Sequence, residues 1–135
     1  MKYKLTTPDL AELLIVVAII AVLVAISIPI FNSQLEKSRD AVSIANIRAA
    51  YAEAASAYLT ESDGGNAIVD KGAKTATVSN VALKGTQSGW SGLDSELPFT
   101  HTSMTDEIGG KAGDDYKLVF TFDDAGACTL TSLTK

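Results

Sequence analysis

One cysteine, one histidine and one tryptophan are all that this 135-residue chain holds of those three residue types, and lysine and arginine never gather into a run. A lone Cys128 has no intrachain disulfide partner, so the fold must be held by packing and hydrogen bonds. Its default role is that of a small buried hydrophobe. His101 lies in a polar stretch, HTSMTDE, and reads as an ordinary surface residue. No serine-histidine-acid arrangement is signalled and Cys128 has no evident base beside it, so we expect no enzyme. Without a basic cluster there is no surface to track a nucleic-acid backbone, and no direct nucleic-acid site is expected. Gly64-Gly65 and Gly109-Gly110 fit no phosphate-binding pattern. Asp114-Asp115 and Asp123-Asp124 are the acid pairs that could in principle gather around calcium. They lack EF-hand spacing, and turn acids are commonly just solvated, so neither metal nor cofactor is expected.

What the chain does have is one long apolar run, Leu10 to Phe31, LAELLIVVAIIAVLVAISIPIF. It carries a single charge, Glu12, and a single proline, Pro29, and from Leu13 to Ile26 it has no polar side chain. As a helix it spans roughly 33 Å, enough to cross about 30 Å of hydrocarbon. The formal net charge of -5 is unevenly spread: Lys2 and Lys4 precede the run, and most of the acid follows it. Basic residues favour the cytoplasmic side, which predicts a single pass through the plasma membrane with the N-terminus inside and the C-terminal bulk outside. A removable secretory signal fits poorly. The apolar stretch is about twice the usual length, and Ala25-Ile26-Ser27, the nearest small-x-small site, runs straight into Ile28-Pro29-Ile30-Phe31.

Taken in order, residues 1–7 form a basic leader and 8–31 the hydrophobic helix half. Two cap registers compete at the start: Thr7 as N-cap with Pro8 at the first helical position, or Asp9 and Glu12 at capping-box spacing. Pro29 removes the hydrogen bond to the Ala25 carbonyl, which predicts a kink or local loosening, with Ser27 the one nearby side chain able to help. Residues 32–61 form an amphipathic helix half. Its apolar stripe is Ile44, Ile47, Tyr51, Ala54/Ala55 and Tyr58, with Lys37, Arg39, Asp40, Arg48 and Glu53 largely off it. Joined across Pro29 the helix would be about 75 Å long. Residues 62–135 read as a globular head. Ser62-Asp63-Gly64-Gly65-Asn66 stops the helix. Residues 76–83 are strand-like, and Trp90, Leu93, Leu97 and Phe99 fill core gaps in a glycine-punctuated middle. A C-terminal hairpin over about 116–133 turns at Asp123-Asp124-Ala125-Gly126. The fold class that follows is α+β: a long N-terminal helix whose second half packs against a small antiparallel sheet of three or four strands.

The segment carrying Leu10, Glu12, the Leu13–Ile26 core and Pro29 after a basic leader resembles the N-terminus of type IV pilins and the related pseudopilins. The resemblance covers residues 1 to about 40 closely. Aligned on Glu12, it puts Pro8 at the first position of the mature family chain and Pro29 where the family also has a proline. It implies a pilin-like fold and a structural subunit of an extracellular filament. In that family Glu12 would pair with the N-terminal amine of a neighbouring subunit, which makes Glu12 and Pro29 the assembly residues. The implied partners are other copies of the chain, minor pilins, a prepilin peptidase, a membrane assembly platform and, before assembly, the lipid bilayer.

The junction departs from the family. Thr7 stands where a glycine precedes the cut, and Pro8-Asp9 replaces the usual Phe-Thr. Proline just after the bond restricts φ and removes a donor, so the resemblance does not carry cleavage over to Thr7–Pro8. Two other functions stay open: a pseudopilin of a type II secretion or DNA-uptake system, and a signal-anchored surface domain that binds a partner and never polymerises.

Overall fold

The computed structural model describes residues 7–104 and 111–135. Helix α1 covers Thr7–Thr60 and is assigned without a break through Pro29. The chain divides into two compact units, residues 1–35 and 36–135, with the division falling inside α1. In the first unit the Ser27 hydroxyl donates to the Leu23 carbonyl at 2.6 Å. Ser27 therefore does not serve the Ala25 carbonyl that Pro29 leaves without its usual donor. Of the two competing cap registers, the one on Asp9 and Glu12 is overturned, because Asp9 lies inside α1, and Thr7 is itself helical rather than a cap.

In the second unit five strands follow α1: β1 (Ala67–Asp70), β2 (Thr75–Leu83), β3 (Thr100–His101), β4 (Gly113–Phe122) and β5 (Cys128–Thr134). Their order across the sheet is β1-β2-β4-β5-β3. The sheet is thus larger than the three or four strands expected, and it is mixed. β1, β2, β4 and β5 pair antiparallel, while β3 runs parallel to β5. β1 and β3 are too short to announce themselves by alternation, and each exists by pairing with a longer neighbour. The hairpin is where the pattern put it. Tyr116, Leu118, Phe120 and Phe122 are all buried, because period-two alternation sends them to one face.

That face meets the α1 stripe. Ile44, Ile47, Ala50, Ala54 and Ala57 share one buried cluster with the sheet residues. Aromatic rings tie the layers together. Tyr51 lies 4.9 Å from Phe99 between ring centres, Phe99 meets Phe120 edge-on at 5.3 Å, and Tyr58 stacks on Phe122 at 4.4 Å. Such pairs add about 0.5–1.5 kcal/mol each beyond their burial. Trp90 and Phe99 are buried, and Leu93 and Leu97 pack against the cluster, as the sequence suggested.

One reading of the helix needs correction. Asp40 is not off the stripe but on it, with Glu36 and Ser43, and all three are buried. Polar residues drop out of any apolar-periodicity count, so the first two turns of the buried face went unseen. The helix end also differs in detail. It closes at Thr60 with a Schellman pattern, Ser62 N–H to Ala57 C=O at 3.2 Å and Glu61 N–H to Tyr58 C=O at 3.3 Å. The left-handed residue is Glu61 (φ +54), not one of the glycines that follow.

Candidate assembly surface

From Leu10 to Phe31 α1 mixes good helix formers, alanine and leucine, with many β-branched isoleucines and valines, and is held by its own backbone hydrogen bonds. No residue of this segment is buried by its own unit among the described residues. Its fifteen large hydrophobics between Leu10 and Phe31 range from 46% exposed at Val24 to 71% at Leu14, and no residue from Thr7 to Leu35 is buried. Burying a leucine or isoleucine stabilises by roughly 1.5–3 kcal/mol, so this surface in water costs on the order of tens of kcal/mol. That exceeds the whole net stability of an ordinary domain, about 5–15 kcal/mol. The helix is long and apolar enough to cross a membrane.

Glu12 is exposed on this segment and makes no hydrogen bond or ion pair with a described residue. Pro29 is likewise exposed, inside the continuous helix. Thr7 and Pro8 are the first described residues of α1, both exposed and helical. Glu12 and Pro29 are far apart along the helix, roughly 25 Å, and form no common pocket.

The other singled-out residues scatter. Cys128 is buried in β5, and burial pushes its thiol up to about 11. His101 is half-buried in β3 rather than free in a loop, with Nε2 3.8 Å from Asp94 Oδ2. The two acid pairs sit at opposite ends of β4, roughly 30 Å apart along the strand, so they do not converge. Asp114 instead pairs with Lys84 at 2.8 Å and Asp124 with Lys74. Asp123 Oδ1 accepts the N–H groups of Ala125 and Ala127, which shapes the hairpin turn. Among the described residues no three side chains form a metal-holding group.

Sequence reasoning missed the contacts that fasten the head's loop to the helix. The Glu36 carboxylate accepts the Thr86 N–H at 2.8 Å, the Thr86 hydroxyl at 2.7 Å and the Gln87 N–H at 2.9 Å. One turn on, Asp40 accepts the Ser91 hydroxyl through Oδ2, while its buried Oδ1 has no partner among the described residues. Burial would raise the Glu36 pKa, but the hydrogen bonds from Gln87, Thr86 and Arg39 outweigh it and hold it below 4.5. For Asp40 burial prevails over the Ser91 bond, with the nearby Glu36 charge adding to it, and its pKa lies above 3.8.

The class of protein this defines is an α+β head whose long helix carries an unpartnered apolar segment. No known family, curated protein or solved structure matches the chain.

Proposed function

We propose that this chain is a membrane-anchored subunit of a helical, type IV pilus-like filament, assembled through residues 8–31. The observation that carries the reading is the exposed apolar half of α1 with a carboxylate near its start, Glu12, that has no partner among the described residues. Such a helix leaves lipid only for an equally apolar environment, and a bundle of its own copies supplies one. Copies joined by a heterologous, non-closing contact form a polymer of no fixed size. Glu12, costly inside a dry bundle unless paired, sets the stagger between copies by seeking a positive group. Motor, platform and peptidase would be separate proteins.

The experiment is to shear the surface of the cells that make the protein and to examine the released fraction by electron microscopy and mass spectrometry. Filaments composed of this chain are expected, with assembly lost in Glu12→Leu. Filaments that form equally well in that variant, or protein found chiefly as a soluble monomer with residues 10–31 attached, overturn the reading.

A second reading is favoured by one observation, the Thr7-Pro8 junction without the family's glycine. There the leader stays on and the chain is a signal-anchored surface domain. Mass spectrometry of the N-terminus separates the two. A methylated Pro8 supports filament processing, and intact residues 1–7 on cell-bound protein support the anchor.

A further inference from the structure

Glu53 lies on the half of α1 that packs in the second unit, beside the buried stripe. Its Oε1 accepts the Asn66 N–H at 2.7 Å, and a Cβ on Gly65 would come within 2.5 Å of that oxygen. On one side of the carboxylate a groove of about 230 Å³ opens between α1 and β2, walled in part by Asn46, Ala50, Asn66, Asn80 and Ala82. On the other side a hollow of about 240 Å³ runs to the turn at Ser62 and Gly64. Among the described residues Glu53 is the one charged group lining either.

The groove exists for two reasons. The helix presents alanines there, which leave space unfilled. β2 bulges between Val78, which pairs with Leu118, and Val81, which pairs with Tyr116. The bulge holds Asn80 in the left-handed region at φ +59, which asparagine adopts more readily than most residues.

Its chemistry narrows the answer. No lysine or arginine lines it, so an anion would meet only Glu53. No aromatic ring lines it, so a sugar ring has nothing to stack on. Calcium draws six to eight oxygens and usually several carboxylates, and here there is one, already holding an N–H. A primary ammonium needs a single negative charge and a few neutral acceptors. Asn46 Nδ2 donates to the Ala82 carbonyl at 2.9 Å and Asn80 Nδ2 to Asn66 Oδ1 at 3.4 Å, and the Asn46 and Asn80 side-chain carbonyl oxygens accept no hydrogen bond from a described residue.

We infer that the Glu53 groove receives a lysine side chain from a second copy of this chain, as a heterologous contact between neighbouring globular units of the polymer. This rests on the filament reading above. The chain has lysines to offer. Lys71, Lys74 and Lys84 pair with Glu61, Asp124 and Asp114 of their own chain, whereas Lys37, Lys111 and Lys117 are exposed and form no such pair with a described residue. A heterologous contact requires two different surfaces, which a groove and a distant lysine provide.

The test is zero-length carbodiimide coupling of the intact polymer, which condenses a carboxylate with a touching amine by loss of water. Monomer and dimer bands are then separated in denaturing gels and their peptides mapped. The Lys84–Asp114 and Lys74–Asp124 links in the monomer band report that coupling worked. The dimer band is expected to contain Glu53 joined to a lysine. Glu53→Gln keeps an acceptor for the Asn66 N–H, so it should fold, lose that peptide and lower the dimer yield about tenfold. Polymer that shows the control links but no Glu53 link between copies overturns the inference and spares the filament. So does Glu53 coupled only within the monomer. Wild-type chain that never polymerises overturns the filament reading itself, and this contact with it.

Discussion

Glu36 and Thr86, fifty residues apart in the chain, are joined twice: one carboxylate accepts both the N–H and the hydroxyl of the same threonine. A buried carboxylate holding several donors is a strong clamp, and hydrogen bonds to a charged group contribute about 1.5–3 kcal/mol each. Glu36→Ala should therefore destabilise the fold by about 2–3 kcal/mol, read as a shift in denaturant midpoint of the full chain in detergent. The sign with pH follows from the lowered pKa. The contribution is full above about 4.5, the ordinary value, and is lost as pH falls through the lower folded value. Wild type should lose stability on that acid limb, and Glu36→Ala should lose less.

Asp40 works in the opposite sense. Its folded pKa is raised, so the charged form burdens the fold at neutral pH and the burden lifts as pH falls through the raised value. Asp40→Asn keeps an acceptor for Ser91 and removes the buried charge, but it places an amide NH2 where Oδ1 has no partner. The gain at pH 7 should therefore be under about 1 kcal/mol, and it should vanish as pH falls through the raised value. A variant less stable than wild type at pH 7 would show that Oδ1 has a use this account lacks.

Glu61 caps α1 in a left-handed conformation that glycine adopts without penalty. The exchange Glu61→Gly gives up only an exposed pairing with Lys71 at 3.3 Å. Melting of the variant should show a gain of about 0.5–1 kcal/mol. A loss of similar size would mean that the cap is held by contacts of the glutamate side chain.

Cys128 is buried and its thiol is pushed up to about 11, so little thiolate forms at pH 8. A thiol reagent should label it only as fast as the head unfolds, and non-reducing gels should show no disulfide dimer. Rapid labelling of folded protein would contradict the packing around β5.

Some of this was legible in the residues because its cause is local. The apolar half of α1 needs only its own hydrogen bonds and composition, and β4 carries a large apolar residue at every second position from Tyr116 to Phe122. The hairpin turn is written in Asp123 to Gly126. β1 and β3 were not legible, since strands of four and two residues exist only through partners elsewhere in the chain. Nor were the acid contacts: Glu36 and Asp40 look like solvent residues until Thr86, Gln87 and Ser91 are brought to them. The Glu53 groove depends on a bulge in β2 that no spacing reveals.

By itself, then, the sequence determined that a greasy helix half would form, because hydrocarbon content and run length are summed along neighbours. Only the tertiary structure decided which polar side chains the head buries and what order its strands take. Those depend on groups far apart in sequence meeting within hydrogen-bond distance, and a linear pattern holds no record of such meetings.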